Sequence, residues 1–398
     1  MILELTPYYL RSEMERVGAH PASFAIFERK SRIIPLKIFG ILSPGANILK
    51  QEMLSLGGDA VVHKYAVNCK VERSDVILLG TKKHYEALVQ KLESANYFGL
   101  QEVRAKLKDY LKSRKPEYIE SPWGRKITFE RTRLMGIINV TPDSFFAGSR
   151  KQDLNQVLET ASYMIENGAD IIDIGGLSTR PGSEPVDEEE ELRRVVPAVK
   201  LLRENFPQIP ISVDTYRARV AEKALEAGAD IVNDISGLQF DKDLVKVVAE
   251  SKAPLVLMHI KGTPRDMQQN PHYDDVIREI AEYFVERMEF AASSGVDPAR
   301  IILDPGIGFG KKYEHNLEIL GRIKEFQSLN KLLLIGASRK TFIGKALGDV
   351  PPDERLEGTL AVTALCVLKG VDIVRVHDVR ENRRVMDLLE AVKCQERS

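Results

Sequence analysis

The stretch Gly168-Ala169-Asp170-Ile171-Ile172-Asp173-Ile174-Gly175-Gly176 links the end of a helical pattern to an apolar run that finishes in polar residues. The same arrangement returns in Gly228–Asp234 and in Gly370–Asp378. Glycine just past a helix adopts the left-handed cap conformation without strain. Short apolar runs of this kind are typical of strands buried on both faces in a parallel sheet. The repeated unit therefore predicts helices alternating with parallel strands that carry polar side chains at their carboxyl ends.

Eight strand-like runs follow one another from Leu134 onward. They are Leu134–Val140, Ile171–Gly175, Ile211–Asp214, Ile231–Asp234, Leu255–His259, Ile301–Asp304, Leu332–Gly336 and Ile373–His377. Apolar spacings of three and four residues predict helices at 153–167, 188–205, 216–227, 241–251, 274–294, 314–327, 355–369 and 381–393. Eight units match a (β/α)8 barrel of about 250 residues, whereas a doubly wound open sheet more often has about five or six strands. We predict an α/β protein in which residues 115–398 form a TIM barrel that carries the catalytic site.

Residues 1–114 are predicted to form a separate small α/β domain of unknown role. Its strands are predicted at Ile33–Ile38, Ala60–Ala66 and Val76–Gly80, and its helices at Ala46–Leu56 and Lys82–Glu93. No motif in this region suggests chemistry. Between the domains, the turn Trp123–Lys126 followed by Ile127–Phe129 predicts a hairpin, which we expect to close the amino-terminal mouth of the barrel.

Composition narrows the class of protein. In 398 residues, 29% are charged and 43% hydrophobic, and the net charge of −1 gives no field that would steer the chain to nucleic acid or an anionic membrane. The cysteines Cys69, Cys366 and Cys394 lack metal-ligand spacing, and Cys366 lies in an apolar run that indicates core packing. No apolar run approaches the roughly 18 residues that span a bilayer, and no signal peptide is recognised. We expect a soluble, cytoplasmic protein.

Every predicted barrel strand ends in polar residues. These are Asn139, Asp173, Asp214, Asn233, His259, Asp304, Ser338-Arg339-Lys340, and Arg375 with His377. A single aspartate of this kind is as often a structural hydrogen-bond partner as a functional group. Because the carboxyl ends of all barrel strands meet at one face, eight such endings favour a pocket there. The acidic run Asp187–Glu191, by contrast, is interpreted as first-turn carboxylates that complement a helix dipole.

The residue types indicate what the pocket holds. Carboxylates and amides suit a flat heterocycle rich in N–H donors, since a carboxylate pairs with two adjacent donors in one plane. Arg180, Lys340 and Arg375 indicate an anion. Arg375 and His377 lie two residues apart on one strand and face the same side, so together they can grip phosphate oxygens, with Asn139 joining through a divalent cation. The loops at about 141–152 and 176–187 are predicted to be mobile covers of the pocket.

Six stretches together resemble the dihydropteroate synthase family. They are Leu134–Phe145, Asp173–Gly182, Ile211–Thr215, Asp304–Lys311, Ser338–Lys340 and Arg375–Asp378, and the resemblance covers about 116–394. It implies a folate-pathway transferase that joins 6-hydroxymethyl-7,8-dihydropterin diphosphate to p-aminobenzoate and releases pyrophosphate. It also implies Mg2+ on the diphosphate, inhibition by sulfonamides and a homodimer.

The resemblance also implies roles for individual residues. Pterin contacts fall on Asp173, Asp214, Asn233, Met258, Asp304 and Lys340. Diphosphate contacts fall on Asn139, Arg180, Arg375 and His377, with Asn139 also a metal ligand. The p-aminobenzoate pocket falls on Thr179, Pro181, Phe309 and Thr341. Catalytic roles fall on Asp214, Lys340, Arg375 and His377, and mobile-loop roles on Asp143, Ser144, Phe145 and Arg180. The sequence departs from the family pattern at Ala147–Arg150, Leu177 and Ile307, which puts the details of the first loop in question.

Three other functions fit parts of the sequence. A pterin-binding methyltransferase that passes a methyl group from a folate to a corrinoid uses a related barrel, but needs no diphosphate grip such as Arg375 and His377. An aldolase-like barrel could use Lys340 as a Schiff-base lysine. A non-catalytic pterin-binding paralogue could result if the altered first loop cannot close.

Overall fold

The computed structural model describes residues 2, 10–140, 150–177 and 186–397. Two compact units divide the chain. The amino-terminal unit comprises Met1–Arg114 with Lys393–Ser398, and the barrel unit comprises Lys115–Val392.

The amino-terminal unit is a small α/β fold, as predicted. Its antiparallel sheet has the order β1-β3-β2, formed by β1 Ile34–Leu42, β2 Asp59–Val62 and β3 Arg73–Gly80. Its helices are α1 Leu10–Arg16, α2 Phe24–Glu28, α3 Ser43–Ser55, α4 Lys82–Lys91 and α5 Leu100–Lys112. Leu49, Leu78 and Leu88 form part of its buried core. The prediction of a strand to Ala66 is wrong, because the chain turns after Val62, with the Ala66 N–H donating to His63 O at 2.9 Å.

The barrel unit is a closed ring of eight parallel strands, which confirms the predicted (β/α)8 TIM barrel. The strands are β6 Arg133–Asn139, β7 Ile171–Gly175, β8 Ile211–Asp214, β9 Ile231–Asp234, β10 Leu255–Met258, β11 Ile301–Asp304, β12 Leu332–Ile335 and β13 Ile373–Val376. Strands β6 to β13 follow in chain order around the ring, and β13 pairs with β6 to close it.

Helices surround this ring. They are α6 Arg150–Glu166, α7 Glu188–Asn205, α8 Ala218–Glu226, α9 Leu244–Ser251, α10 Val276–Ser293, α11 Tyr313–Gly321, α12 Thr341–Ala346, α13 Leu356–Lys369 and α14 Val379–Arg397. The helix predicted at 314–327 divides into α11 and a 3-10 segment, Ile323–Leu329. The six residues of α12 were not predicted, since so short a helix shows no period. Cys366 is buried in the core, as predicted. Among the described residues, no helix has both the length and the apolar character that crossing a membrane requires.

The repeated Gly-x-Asp has a structural role at the amino-terminal end of the ring. Gly168 and Gly370 take φ values of 94° and 74°, as the left-handed cap prediction requires. Each aspartate then accepts a backbone N–H from the start of the preceding strand: Asp170 from Leu134 at 2.9 Å, Asp230 from Ile211 at 2.8 Å and Asp372 from Leu333 at 2.9 Å. The repeat therefore fixes the register of neighbouring strands.

A hairpin closes the amino-terminal mouth, as predicted. It consists of β4 Tyr118–Glu120 and β5 Lys126–Thr128, paired antiparallel. Its apolar side chains Ile119, Ile127 and Phe129 form one buried cluster with side chains that begin the barrel strands, including Ile171, Ile231, Leu332 and Ile373. This cluster fills the amino-terminal end of the barrel interior.

Candidate active site

Arg375 connects three strands at the carboxyl end of the barrel. It lies on β13, and its Nε donates to Asp173 Oδ2 on β7 at 2.6 Å while its Nη2 donates to Asp214 Oδ2 on β8 at 2.7 Å. Asn233 on β9 completes the group, because its Nδ2 lies 3.3 Å from Asp173 Oδ2. Gly336, just after β12, borders the arginine stem: a Cβ there would lie 3.8 Å from both Cβ and Cδ of Arg375, which is ordinary van der Waals contact. Side chains 202 residues apart in sequence thus meet in one network.

Burial sets the charge of this network. Desolvation raises the pKa of Asp214 to about 7, and Asp173 adds to this, although Arg375 acts in the opposite direction. For Arg375, burial alone would lower the pKa, but the carboxylates of Asp173 and Asp214 outweigh it and the pKa is raised. The arginine is therefore permanently cationic, whereas Asp214 gains or loses its proton near neutral pH.

Asp304 and Lys340 form a second group beside the first. Asp304, at the end of β11, accepts the Gly306 N–H at 2.7 Å, and burial raises its pKa despite that bond and the nearby Lys340. Lys340 donates to Ile307 O and places its Nζ 4.0 Å from the centre of the Phe309 ring. Burial lowers the pKa of Lys340 to about 7, with Asp304 opposing and Arg375 reinforcing the shift. The pocket therefore holds two groups, Asp214 and Lys340, that titrate near pH 7.

Asn139 lies at the end of β6 beside Asp214. A Cβ placed on Gly175 would lie 3.6 Å from Asn139 Oδ1 and 3.8 Å from Asp214 Oδ2, so both oxygens flank one point at the end of β7. A side chain at Gly175 would fill this space. The two oxygens, one from β6 and one from β8, therefore lie on either side of this glycine.

His377 and Arg339 tie the ends of β12 and β13 together. The backbone N of His377 donates to Ser338 Oγ at 3.2 Å, and its Nδ1 lies 3.0 Å from the same oxygen. Arg339 holds Asp378 with both ends of its guanidinium, Nε at 2.9 Å and Nη2 closer still. Arg339 has a φ of 57°, a left-handed conformation that is uncommon for a side chain other than glycine. These contacts fix the turn from which Lys340 enters the pocket.

Comparison with known proteins identifies the family of this site. Residues 135–377 match the family model described as pterin binding enzyme. Over 270 residues the chain is 47% identical to the dihydropteroate synthase of a Synechocystis species, covering 68% of this chain and 91% of that one. The chain belongs to the dihydropteroate synthase family. The crystal structure of the Yersinia pestis dihydropteroate synthase with a sulfonamide drug complex agrees, with a TM-score of 0.65 and 40% identity over 70% of this chain and 99% of that one.

One relative extends beyond the barrel. A probable bifunctional folylpolyglutamate synthase/dihydropteroate synthase of Haloferax volcanii is 38% identical over 353 residues, which cover 85% of this chain and 41% of that one. Of 398 residues, 85% is about 338, whereas Lys115 to the carboxyl terminus is 284. The similarity to the Haloferax protein therefore reaches into the amino-terminal unit. The Yersinia dihydropteroate synthase is matched over 99% of its length but covers only 70% of this chain, so it does not share the whole of that unit.

The remaining predicted site residues divide into two sets. Met258 is buried at the end of β10 with Ile235, Ile260 and Met267, and Phe309 packs against this cluster. Thr341 begins α12, directly after Lys340. Six predicted residues lie outside the described part of the chain, so their roles stay predictions: Asp143, Ser144, Phe145, Thr179, Arg180 and Pro181.

Sequence reasoning missed two buried pairs near the pocket of this dihydropteroate synthase homologue. Glu191 is fully buried and accepts Arg217 Nη1 at 2.8 Å, and Arg217 Nη2 holds Val186 O at 2.7 Å. The sequence did carry a signal for the burial of Glu191. This residue lies on the same helix face as the buried Val195 and Ala198, unlike the other acids of its run. The second pair is Lys311 and His259, whose Nζ and Nδ1 lie 2.8 Å apart. The sequence motif contained Lys311, but assigned it no role.

Proposed function

We propose that this chain is an active dihydropteroate synthase. It would condense 6-hydroxymethyl-7,8-dihydropterin diphosphate with p-aminobenzoate to give 7,8-dihydropteroate and pyrophosphate. The observation that carries this proposal is the convergence of Asp173, Asp214, Asn233, Asp304 and Lys340 around Arg375 at the open end of the barrel. The dihydropteroate synthase of Clostridium difficile, crystallised in the presence of pteroic acid, is 47% identical over 66% of this chain and supports it.

The carboxylates and amide are suited to the pterin ring. Asp214 and Asp304 would accept from the ring N–H donors, with Asn233 and Lys340 contacting its remaining polar edge. A carboxylate that faces two adjacent donors forms a planar, two-bond pairing, which fixes orientation as well as affinity. Met258 and its apolar neighbours would contact a face of the ring.

The reaction needs positioning more than proton transfer. The carbon under attack is a methylene on an electron-rich ring, which delocalises positive charge as the diphosphate leaves. An aryl amine is neutral at pH 7 and attacks without a general base. Catalysis would then depend on holding the two substrates in line and stabilising the departing anion. Arg375 and His377 would stabilise that anion.

Arg375 must redistribute its bonds to do this. In the structure its guanidinium is neutralised by Asp173 and Asp214. When the diphosphate binds, Arg375 would exchange one carboxylate for phosphate oxygens, which frees Asp214 to face the pterin. One arginine would thus couple occupation of the diphosphate site to preparation of the pterin site.

The donors present fit Mg2+ bound mainly through substrate. The described residues contain no cluster of three or more His, Cys, Asp or Glu that could hold a metal by itself. Mg2+ commonly uses one or two protein oxygens together with waters and substrate phosphates. Asn139 Oδ1, which lies beside Gly175, would supply such an oxygen. Bound there, the ion would neutralise charge on the leaving diphosphate. By analogy with the family, the active form would be a homodimer.

Pyrophosphate release tests the proposal. The full chain is mixed with Mg2+, the pterin diphosphate and p-aminobenzoate, and both pyrophosphate and dihydropteroate are measured. Equal amounts of the two products are expected, and neither should form when p-aminobenzoate is omitted. Exposed Asp297 offers a matched control, since Asp297→Ala should leave the rate unchanged whereas Asp304→Ala should not. Tight pterin binding without either product would instead identify a non-catalytic paralogue.

A further inference from the structure

The segment Gly306–Lys311, here called the glycine loop, follows β11 and carries Phe309 to the edge of the pocket. Gly306, Gly308 and Gly310 have φ values of 68°, 82° and 61°. A Cβ on Gly306 would clash with His259 O, and one on Gly310 would clash with Lys261 O. Such a loop has little conformational preference of its own, because glycine populates many backbone states. Its single conformation must come from contacts outside the loop.

Side chains from three other parts of the barrel unit supply those contacts, together with Lys311 at the end of the loop itself. Each residue from 307 to 310 has a backbone group bound by a side chain. Lys340 donates to Ile307 O, Asn316 Oδ1 accepts the Gly308 N–H at 2.7 Å, Gln268 Nε2 donates to Gly308 O at 2.6 Å, Lys311 Nζ donates to Phe309 O at 3.0 Å and Tyr273 Oη donates to Gly310 O at 2.8 Å. Each bond removes freedom that a glycine-rich segment would otherwise keep.

Lys311 is the buried member of this set. It is 3% exposed, and its ammonium contacts His259 Nδ1 at 2.8 Å as well as Phe309 O. His259 is itself fixed, since its ring meets the Tyr283 ring edge-on at 4.8 Å between centres. Burying a lysine is costly unless its donors are bound. Among the described residues no carboxylate lies within ion-pair distance of Lys311, whose Nζ makes its short contacts with His259, just after β10, and with Phe309 O of the loop.

Gln268 is the exposed member. It lies in the segment between β10 and α10, and its side-chain amide reaches Gly308 O from solvent, one residue before Phe309. We propose that Lys311 and Gln268 are positioning residues, which hold the Phe309 ring at the arylamine subsite by fixing the carbonyls of residues 308 and 309. This rests on the proposed function, which places p-aminobenzoate against Phe309.

The contact between Gln268 and the loop should affect the binding of p-aminobenzoate and not that of the pterin diphosphate. Phe309 lies under Lys340 Nζ at 4.0 Å, so its ring orientation sets the surface on which the aryl amine rests. The carboxylates that would hold the pterin, Asp214 and Asp304, receive no bond from Gln268. Releasing Gly308 O should therefore raise the KM for p-aminobenzoate and leave the KM for the pterin diphosphate nearly unchanged, because Lys340, proposed to contact the pterin, keeps its separate bond to Ile307 O.

Gln268→Ala tests this with little risk to folding, because the side chain is exposed. Loss of one neutral hydrogen bond should raise the KM for p-aminobenzoate about three- to tenfold, with the KM for the pterin diphosphate within twofold of wild type. Gln268→Glu, of equal size but without an N–H donor, should behave like Gln268→Ala. The adjacent, exposed Gln269 provides the control, and Gln269→Ala should match wild type.

Amide hydrogen exchange of the 306–313 peptide supplies a readout independent of turnover. Exchange should quicken in Gln268→Ala and more so in Lys311→Met, whereas Lys311→Arg, which keeps a donor, should recover part of the protection. If wild type makes no dihydropteroate, the proposed function fails, and exchange still reports whether the two residues hold the loop. If wild type is active but Gln268→Ala matches Gln269→Ala in both KM values, the positioning role is wrong.

Discussion

Aspartates occur at both ends of the barrel, and the two sets differ in what surrounds them. The two sets come within three residues of each other at β7, because Asp170, of the amino-terminal set, precedes the strand and Asp173, of the carboxyl-terminal set, lies within it. At the amino-terminal end, Asp170, Asp230 and Asp372 each accept a strand N–H and pair with basic side chains of the same unit. At the carboxyl end, Asp173 and Asp214 share one arginine instead.

The comparison shows that burial alone does not indicate function. Asp230 and Asp173 are equally inaccessible to solvent. Asp230 accepts from Arg125, Arg203 and a backbone N–H, so both of its oxygens are engaged by groups of the barrel itself. Burial, by contrast, raises the pKa of Asp214 to about 7, and within the described part of the chain Arg375 is its only ion-pair partner. Aspartates that bind strand N–H groups and basic side chains at the amino-terminal end stabilise the barrel. Aspartates that share one arginine at the carboxyl end are available to a substrate, as expected for the two faces of this fold.

Removing an aspartate at the amino-terminal end of the barrel should have the largest effect, and this effect should be a loss of stability. Asp230→Ala leaves Arg125 and Arg203 without their buried partner, which costs about 3–5 kcal/mol of unfolding free energy. Denaturant unfolding measures this. The KM values of the fraction that remains folded should stay within twofold of wild type. A loss of substrate affinity in Asp230→Ala comparable to that in a pocket variant would contradict the division between the two ends.

The matching change at the carboxyl end should act on binding. Asp304→Ala removes the acceptor proposed for the pterin ring, and hydrogen bonds to charged groups contribute about 1.5–3 kcal/mol, or roughly ten- to 150-fold in affinity. Calorimetric titration with the pterin substrate measures it. The melting temperature should change less than in Asp230→Ala. Unchanged pterin affinity would remove Asp304 from the site.

Arg375 offers a sharper test, because it pairs with both Asp173 and Asp214 at the carboxyl end of the barrel. Arg375→Ala should reduce affinity for the pterin diphosphate about tenfold more than affinity for the pterin alcohol, because only the former carries the anion that a guanidinium binds. Competition titrations with the two ligands measure the ratio. Equal losses for both would mean that Arg375 serves only to order Asp173 and Asp214.

Much of this arrangement could be predicted from local sequence. Continuous apolar runs and the cap glycines predict β7 and β13, and they place the polar residue Asp173 within β7 and His377 just after β13. The reach of Arg375 from β13 to β7 and β8 could not be predicted, because it depends on ring closure between segments 202 residues apart. Charge alone assigned the whole run Asp187–Glu191 to the helix dipole, whereas the burial of Glu191 follows from its spacing with Val195 and Ala198 on one helix face. The roles of Gln268 and Lys311 depend on backbone carbonyls, which leave no trace in residue type.

The smallest expected effect is a dependence of pterin binding on pH. Burial raises the pKa of Asp214 to about 7 and lowers that of Lys340 to about 7. Below pH 7 Asp214 is protonated and accepts poorly from the ring, and above it Lys340 loses its charge, so affinity should peak near pH 7. Asp214→Asn should remove the acid limb and Lys340→Met the alkaline limb, each limb changing affinity by about fivefold within one pH unit of neutrality.

Stability should follow the opposite course to binding on the acid side. The folded state holds the Asp214 proton up to about pH 7, while an unfolded chain releases it near its ordinary pKa of about 3.9. The contribution of Asp214 to the unfolding free energy therefore falls as pH rises through this window. Denaturant unfolding at pH 5 and at pH 7.5 should show a smaller fall in the unfolding free energy for Asp214→Asn than for wild type. A wild type whose pterin affinity and stability rise together over that range would show that another group governs the pocket.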